Sequence, residues 1–259
     1  MTSSLKSTSQ GQTLILTLSN PEFKNALSPE MYAAGIEALN AFETNPGIRS
    51  VVITGEGAAF CAGGNLQRLL GNRQQPKAVQ ADSIDGLHSW IEAIRTYPKP
   101  VIAAVEGAAA GAGFSLALAC DFCVAADDAI FVMSYSTVGL SPDGGASWAL
   151  ARALPRQLVM QLLMCAERLP AQRLYELGLV NQVCPSGKAL QAALALAETL
   201  NARSGNALSS IKELVNDAAA NTLNEQLKAE RDHFVNNLHH ANSAEGIQAF
   251  LEKRKPSYL

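Results

Sequence analysis

The first apolar run, Thr13 to Leu18, is built of β-branched and aliphatic residues and predicts a strand that Ser19-Asn20-Pro21 ends. A helix is predicted next. Ser28 is a favoured N-cap and Pro29 a favoured first helical residue, and Met31, Ala34, Ala38, Leu39 and Phe42 recur at helical spacing up to Asn45-Pro46-Gly47. The same layout then occurs twice. Val51-Val52-Ile53-Thr54 reads as a strand entering Gly55-Glu56-Gly57, then Phe60-Cys61-Ala62-Gly63-Gly64-Asn65 and a short helical run. Val101-Ile102-Ala103-Ala104-Val105 reads as a strand entering Glu106-Gly107, then Gly111-Ala112-Gly113 and an apolar helix to Cys120. Between them lies an amphipathic helix carrying Ile84, Leu87, Ile91 and Ile94, closed by Pro98-Lys99-Pro100.

Beyond Asp121, strands are predicted at Phe122–Ala126 and Ala129–Met133, a loop from Gly139 to Gly145, and a helix over Ala146–Ala153. From Lys188 onward the pattern is wholly helical, with Thr222 and Glu225 spaced as a capping box. Strands first and helices last predict an α/β fold, with residues 1–187 as the core and 188–259 as a helical C-terminal region.

Composition narrows the function classes. A hydrophobic share of 48% against 17% charged places the 259-residue chain among folded globular proteins. A formal net charge of −3 supplies no broad basic surface, which argues against nucleic acid as the principal partner. No apolar run reaches the roughly 18 residues that span a bilayer, and the N-terminus lacks the apolar core of a signal peptide. No membrane partner is expected. Five scattered cysteines, an odd number, fit reduced thiols and a cytoplasmic location better than a disulfide framework.

Several chemical motifs fail on inspection. Gly111-Ala112-Gly113 follows a strand, but Leu116 stands where a dinucleotide fold needs a small residue. Gly187-Lys188 is followed by Ala189, so there is no phosphate-binding loop. Cys120 and Cys123 lack a second pair, and His233, His239 and His240 fall on a polar helix end, so no metal is expected. Gly113-Phe114-Ser115-Leu116-Ala117 approaches a hydrolase nucleophile elbow, yet the apolar helix continues through it without a sharp turn.

The two glycine-rich loops carry the positive case. Small residues at a strand-to-helix turn let a ligand atom approach the backbone, and the first N–H groups of a helix have no intrahelical partner. Two such loops side by side would present paired donors to an oxyanion. The same glycines also suit tight turns and close helix packing.

Taken in order, Asn20-Pro21, Lys24-Asn25-Ala26-Leu27, Phe60 to Asn65, Pro98 to Ala103 with Gly107 and Gly111-Ala112-Gly113, and Leu118-Ala119-Cys120-Asp121 resemble the crotonase (enoyl-CoA hydratase/isomerase) superfamily. Leu154-Pro155-Arg156, Ala171 to Val180 and Phe250 to Arg254 are also similar to its pattern. The resemblance implies a spiral of ββα turns with a helical C-terminal trimerisation region, assembled as homotrimers or hexamers. It implies an acyl-CoA thioester substrate and no tightly bound cofactor, CoA being part of the substrate. The enolate-binding amides map onto Ala62 and Ala112. CoA-contacting positions map onto Lys24, Ala26, Ala62, Gly63, Gly64 and Asn65, with Phe250 and Lys253 reaching a neighbouring subunit.

The family's hydratases use two glutamates, and the corresponding places here hold Ser115 and Tyr135. Asp143 is the acid within reach, at a position resembling the aspartate of dienoyl-CoA and ring-epoxide isomerases. A lone carboxylate can move a proton between carbons of an enolisable thioester, whereas hydration needs an acid and a base together. The expectation is therefore enoyl-CoA isomerisation, or ring isomerisation or opening, with Asp143 as base and Tyr135 and Ser115 as orienting groups. A hydratase with a different acid, and a non-catalytic acyl-CoA-binding homologue, are the alternatives. Asp143 also stands where a helix cap is expected.

Overall fold

A computed structural model describes residues 3–258. The polar opening folds as β1 (Ser4–Gln10), which turns at Gly11 and pairs antiparallel with β2 (Thr13–Ser19). After α1 (Pro29–Phe42) come β3 (Ser50–Gly55), α2 (Leu66–Asn72), α3 (Lys77–Thr96), β4 (Val101–Val105), β5 (Ala108–Ala110) and α4 (Ala112–Ala119). The middle of the chain holds β6 (Phe122–Ala126), β7 (Ile130–Val132), α5 (Ala146–Ala153), α6 (Arg156–Met164), β8 (Arg168–Pro170), α7 (Ala171–Glu176) and β9 (Gln182–Cys184). Four helices end it: α8 (Ala189–Asn201), α9 (Gly205–Asp217), α10 (Leu223–Leu238) and α11 (Ala241–Leu251).

The main sheet runs β1-β2-β3-β4-β6-β9, parallel from β2 onward, and a smaller sheet runs β5-β7-β8. Parallel strands buried on both faces must be apolar at successive positions, which explains the unbroken runs at Val51–Ile53 and Val101–Val105. Val51, Ile53, Val101 and Ala103 face the main core, where α1 and α3 pack through Met31, Leu39, Leu87, Trp90 and Ile94. Val52, Ile102, Ala104 and Val124 face the other way, onto Ala189, Ala193 and Ala197 of α8.

The predicted helix over 29–42 forms with Ser28 accepting from the Met31 N–H, but its fully buried face is Met31, Tyr32, Gly35 and Leu39. Ala34, Ala38 and Phe42 are half-buried at its flank. Trp90 accounts for Gly35, since a Cβ there would lie 2.3 Å from the indole ring. The capping box of α10 forms at Thr222 and Glu225. No helix among the described residues is long and apolar enough to cross a membrane.

Candidate active site

The two glycine loops leave β3 and β4 side by side and are joined by backbone hydrogen bonds. Phe60 N–H donates to the Glu106 carbonyl (2.7 Å), Cys61 N–H to Ala108 (2.9 Å), and Ala110 N–H to Cys61 (2.9 Å). Contact is close enough to exclude side chains. A Cβ at Gly63, where φ is +88°, would lie 2.6 Å from the Ala110 oxygen and 3.2 Å from the Ala112 nitrogen, and one at Gly113 would lie 2.4 Å from the Cys61 oxygen. Buried Asn25 anchors the preceding turn to the first loop, donating to the carbonyls of Glu56 (2.9 Å) and Ala59 (2.7 Å).

Their amides are not equivalent. The expectation that Ala62 offers a free donor is corrected: its N–H donates to the Lys24 carbonyl at 2.9 Å. Gly63 N–H faces the Cys61 sulfur at 3.4 Å. Gly64 N–H has no hydrogen-bond partner among the described residues, and Gly64 lines a cavity of about 360 Å³. Ala112, the first residue of α4, lines the same cavity, and its N–H is likewise without a partner, as the first turn of a helix requires. The unpartnered amides that line one cavity are therefore those of Gly64 and Ala112.

Tyr135 and Asp143 line the same cavity. The Tyr135 hydroxyl donates to Asp143 Oδ1 at 2.5 Å, and Oδ2 accepts no hydrogen bond from the described residues. Burial, and after it the charge of Asp143, push the Tyr135 phenol above its ordinary range, so it remains a neutral donor. Ser115, buried within α4, donates from Oγ to the Asp143 backbone carbonyl at 3.0 Å and ties the loop to the helix. Gly144 permits this, since a Cβ there would lie 2.9 Å from the Ser115 Cβ. Asp143 does not cap α5, which begins at Ala146 with Gly145 at its N-cap and no side-chain capping bond. Ser115 sits mid-helix with no histidine bonded to its hydroxyl, which leaves the nucleophile-elbow reading without a base.

The remaining candidates are spread more widely. Lys24 is exposed, in the left-handed region at φ 49°, beside the first loop through its carbonyl. Ala26 is buried, outside the cavity lining, and Asn65 uses its side chain to cap α2 by accepting from the Arg68 N–H at 3.1 Å. Phe250, 83% exposed, lies in the last turn of α11 and Lys253 just beyond it, and neither lines the cavity. Gln80, Ile84 and His88, one turn apart along α3, also line the cavity. The sequence pattern assigned Ile84 to the core stripe and gave the two polar residues no role. Their i, i+4, i+8 spacing was the available signal.

The chain resembles known proteins over nearly its whole length. A family model described as enoyl-CoA hydratase/isomerase matches residues 8–259. The chain is 37% identical to the 1,2-epoxyphenylacetyl-CoA isomerase of Escherichia coli K12, over 95% of this chain and 94% of that protein. It is 34% identical to the 2,3-dehydroadipyl-CoA hydratase of the same organism, covering 96% of each. Among solved structures, an enoyl-CoA hydratase from Polaromonas sp. JS666 superimposes with a TM-score of 0.98 at 73% identity, covering 99% of this chain and 100% of that one.

Proposed function

The chain belongs to the enoyl-CoA hydratase/isomerase family and has the crotonase fold, and from that premise we propose that it isomerises the acyl group of a CoA thioester. The observation that carries the proposal is the placement of one carboxylate, Asp143, in the cavity that Gly64 and Ala112 line. In a 3-enoyl thioester, Asp143 takes the proton from the α-carbon. Negative charge moves to the thioester oxygen, where the N–H groups of Gly64 and Ala112 hold it. Each such preorganised donor is worth about 2.7–4 kcal/mol of activation free energy. The protonated Asp143 then returns the proton to the γ-carbon, and the carboxylate is regenerated. Tyr135 holds Oδ1, which leaves Oδ2 as the atom that carries the proton.

Ring isomerisation or opening of an aromatic-derived thioester uses the same enolate, and the relative named as an epoxyphenylacetyl-CoA isomerase supports it. Hydration is the second reading, favoured by the hydratase name of the Polaromonas protein. It asks the Tyr135–Asp143 pair to orient a water. The cavity wall of Leu66, Leu69, Ile84, Val138 and Leu140 suits an apolar acyl group. CoA enters as the substrate's carrier, with Lys24 beside the first loop to meet its phosphates.

We also propose trimeric or hexameric assembly, supported by the exposed apolar side chains Phe234, Phe250 and Leu251 on α10 and α11. Phe250 and Lys253 would then meet CoA across a subunit boundary. The chemistry is tested with two substrates. Conversion of but-3-enoyl-CoA gives a growing conjugated absorbance if the enzyme is an isomerase, whereas loss of that absorbance from crotonyl-CoA marks a hydratase. Thioester binding without either change would reject both.

A further inference from the structure

A second cavity, about 480 Å³, opens where α4 and α5 face α9, and it shares no lining residue with the cavity that holds Asp143. Ala119 and Cys120 at the end of α4 form its floor, and Ile211 and Val215 of α9 form one wall. Trp148 also lines it, with the guanidiniums of Arg95 and Arg152 over its ring, 4.6 Å and 4.0 Å from the ring centre.

Charge is unbalanced at that ring. Neither arginine has a carboxylate at ion-pair distance among the described residues. Arg95 donates to Asn216 Oδ1 (2.8 Å) and Arg152 to the Trp148 carbonyl (3.4 Å), out of the five donors each guanidinium offers. The one acid lining the cavity, Asp121, is already taken by Lys212 (2.8 Å) and by the Val101 N–H (2.8 Å). Lys212 in turn also donates to the Ile94 and Lys99 carbonyls. Burial, and after it the charge of Arg152, hold Arg95 below the usual guanidinium range despite Asp121. Two cations thus share one indole, with the nearest acid of the lining, Asp121, bonded to Lys212 and not to either of them.

We propose that this cavity binds a small amphiphilic anion, a medium-chain carboxylate, with its head at the Arg95 and Arg152 guanidiniums that line it and its chain along Ala119, Ile211 and Val215. The planar guanidinium fork matches a carboxylate, and an anion beside two like charges offsets their repulsion. The aliphatic wall has no use for a purely polar ion. The site stands on these contacts alone and does not depend on the reaction assigned to Asp143.

The test is a titration of the intact protein with decanoate and, separately, with decan-1-ol, followed by tryptophan fluorescence and calorimetry. Trp90 is fully buried and Trp148 is 40% exposed, so the responsive signal belongs to Trp148 and disappears in Trp148→Phe. The expected result is saturable binding of one decanoate per chain, with decan-1-ol roughly tenfold weaker and Arg95→Gln and Arg152→Gln each weakened by roughly tenfold, as for loss of a charged hydrogen bond. Arg152 lies at the surface, so its variant folds whatever becomes of Arg95→Gln. Binding that does not saturate, equal affinity for the alcohol, or unchanged affinity in Arg152→Gln overturns the proposal. So does a Trp148 signal that ignores decanoate because a second copy of the chain covers the cavity, seen as an oligomer whose dissociation restores the response.

Discussion

Replacing Gly63 with alanine puts a methyl group where the two glycine loops touch. Two effects are separable, because Gly187 has nearly the same backbone twist, φ +77° against +88°, and a Cβ there meets nothing within 4 Å. Both substitutions force an L-residue into the left-handed region, at about 1–2 kcal/mol each. Only Gly63→Ala adds contact. Its methyl would lie 2.6 Å from the Ala110 oxygen, about 0.8 Å short of the 3.4 Å at which ordinary contact begins, and 3.2 Å from the Ala112 nitrogen. The loops must part by a large fraction of an ångström, which moves the Gly64 and Ala112 amides apart from their places in the cavity lining. A misplacement of about 1 Å costs on the order of 10²-fold in rate. Turnover of an acyl-CoA substrate and urea unfolding would be measured on both variants. The expected outcome is a further destabilisation of about 1–3 kcal/mol in Gly63→Ala from the forced contact, with turnover near wild type in Gly187→Ala and reduced about 10²-fold in Gly63→Ala. Gly63→Ala turning over within threefold of Gly187→Ala would refute the convergence of the two amides.

Tyr135→Phe keeps the ring but removes the donor to Asp143, and kcat should fall by roughly ten- to a hundredfold with less change in KM, the worth of a hydrogen bond to a charged group. An unchanged kcat would remove Tyr135 from the site. Lys212→Met leaves Asp121 partly buried without its partner and should destabilise the fold by about 3 kcal/mol in urea titration, with partial recovery in the double variant carrying Asp121→Asn. Burial holds the phenols of Tyr32, Tyr97 and Tyr135 above the ordinary 10, with Tyr97 up to about 12. Their stabilisation is full below the unfolded value near pH 10 and is lost as pH rises toward the folded values, so the urea midpoint should fall above about pH 10, less steeply in Tyr97→Phe. A midpoint that rises there would reverse the sign.

Elements with strong periodicity were legible in the sequence, and weakly patterned ones were not. The strand at Phe122–Ala126 and the helix at Ala146–Ala153 fall where the apolar pattern put them. β1 escaped notice because Ser4–Gln10 is an edge strand of mostly polar, exposed sequence, held by pairing with β2 along its length while Leu5 alone packs on the core. β5, β8 and β9 have three residues each, too few to show an alternation. At the site, Asp143, Tyr135, Ser115 and Ala112 follow from the resemblance to the crotonase pattern, residue by residue. The hydrogen bonds that join Tyr135 and Ser115 to Asp143 were not visible, because they depend on how the loop from 135 to 143 folds back. The motif mapping that pointed to Ala62 could not show that its N–H is used, because that depends on a carbonyl in a distant turn, here that of Lys24.

The central claim is that Asp143 carries the proton while the Gly64 and Ala112 amides hold the enolate oxygen. Asp143→Asn keeps the shape and removes the base, so it separates chemistry from binding. Deuterium uptake from D₂O at the α-carbon of but-3-enoyl-CoA would be followed by NMR, with affinity for the same thioester measured by calorimetry. The account predicts uptake slowed by about 10²–10⁴-fold with affinity nearly unchanged. Uptake at the wild-type rate in Asp143→Asn would contradict it.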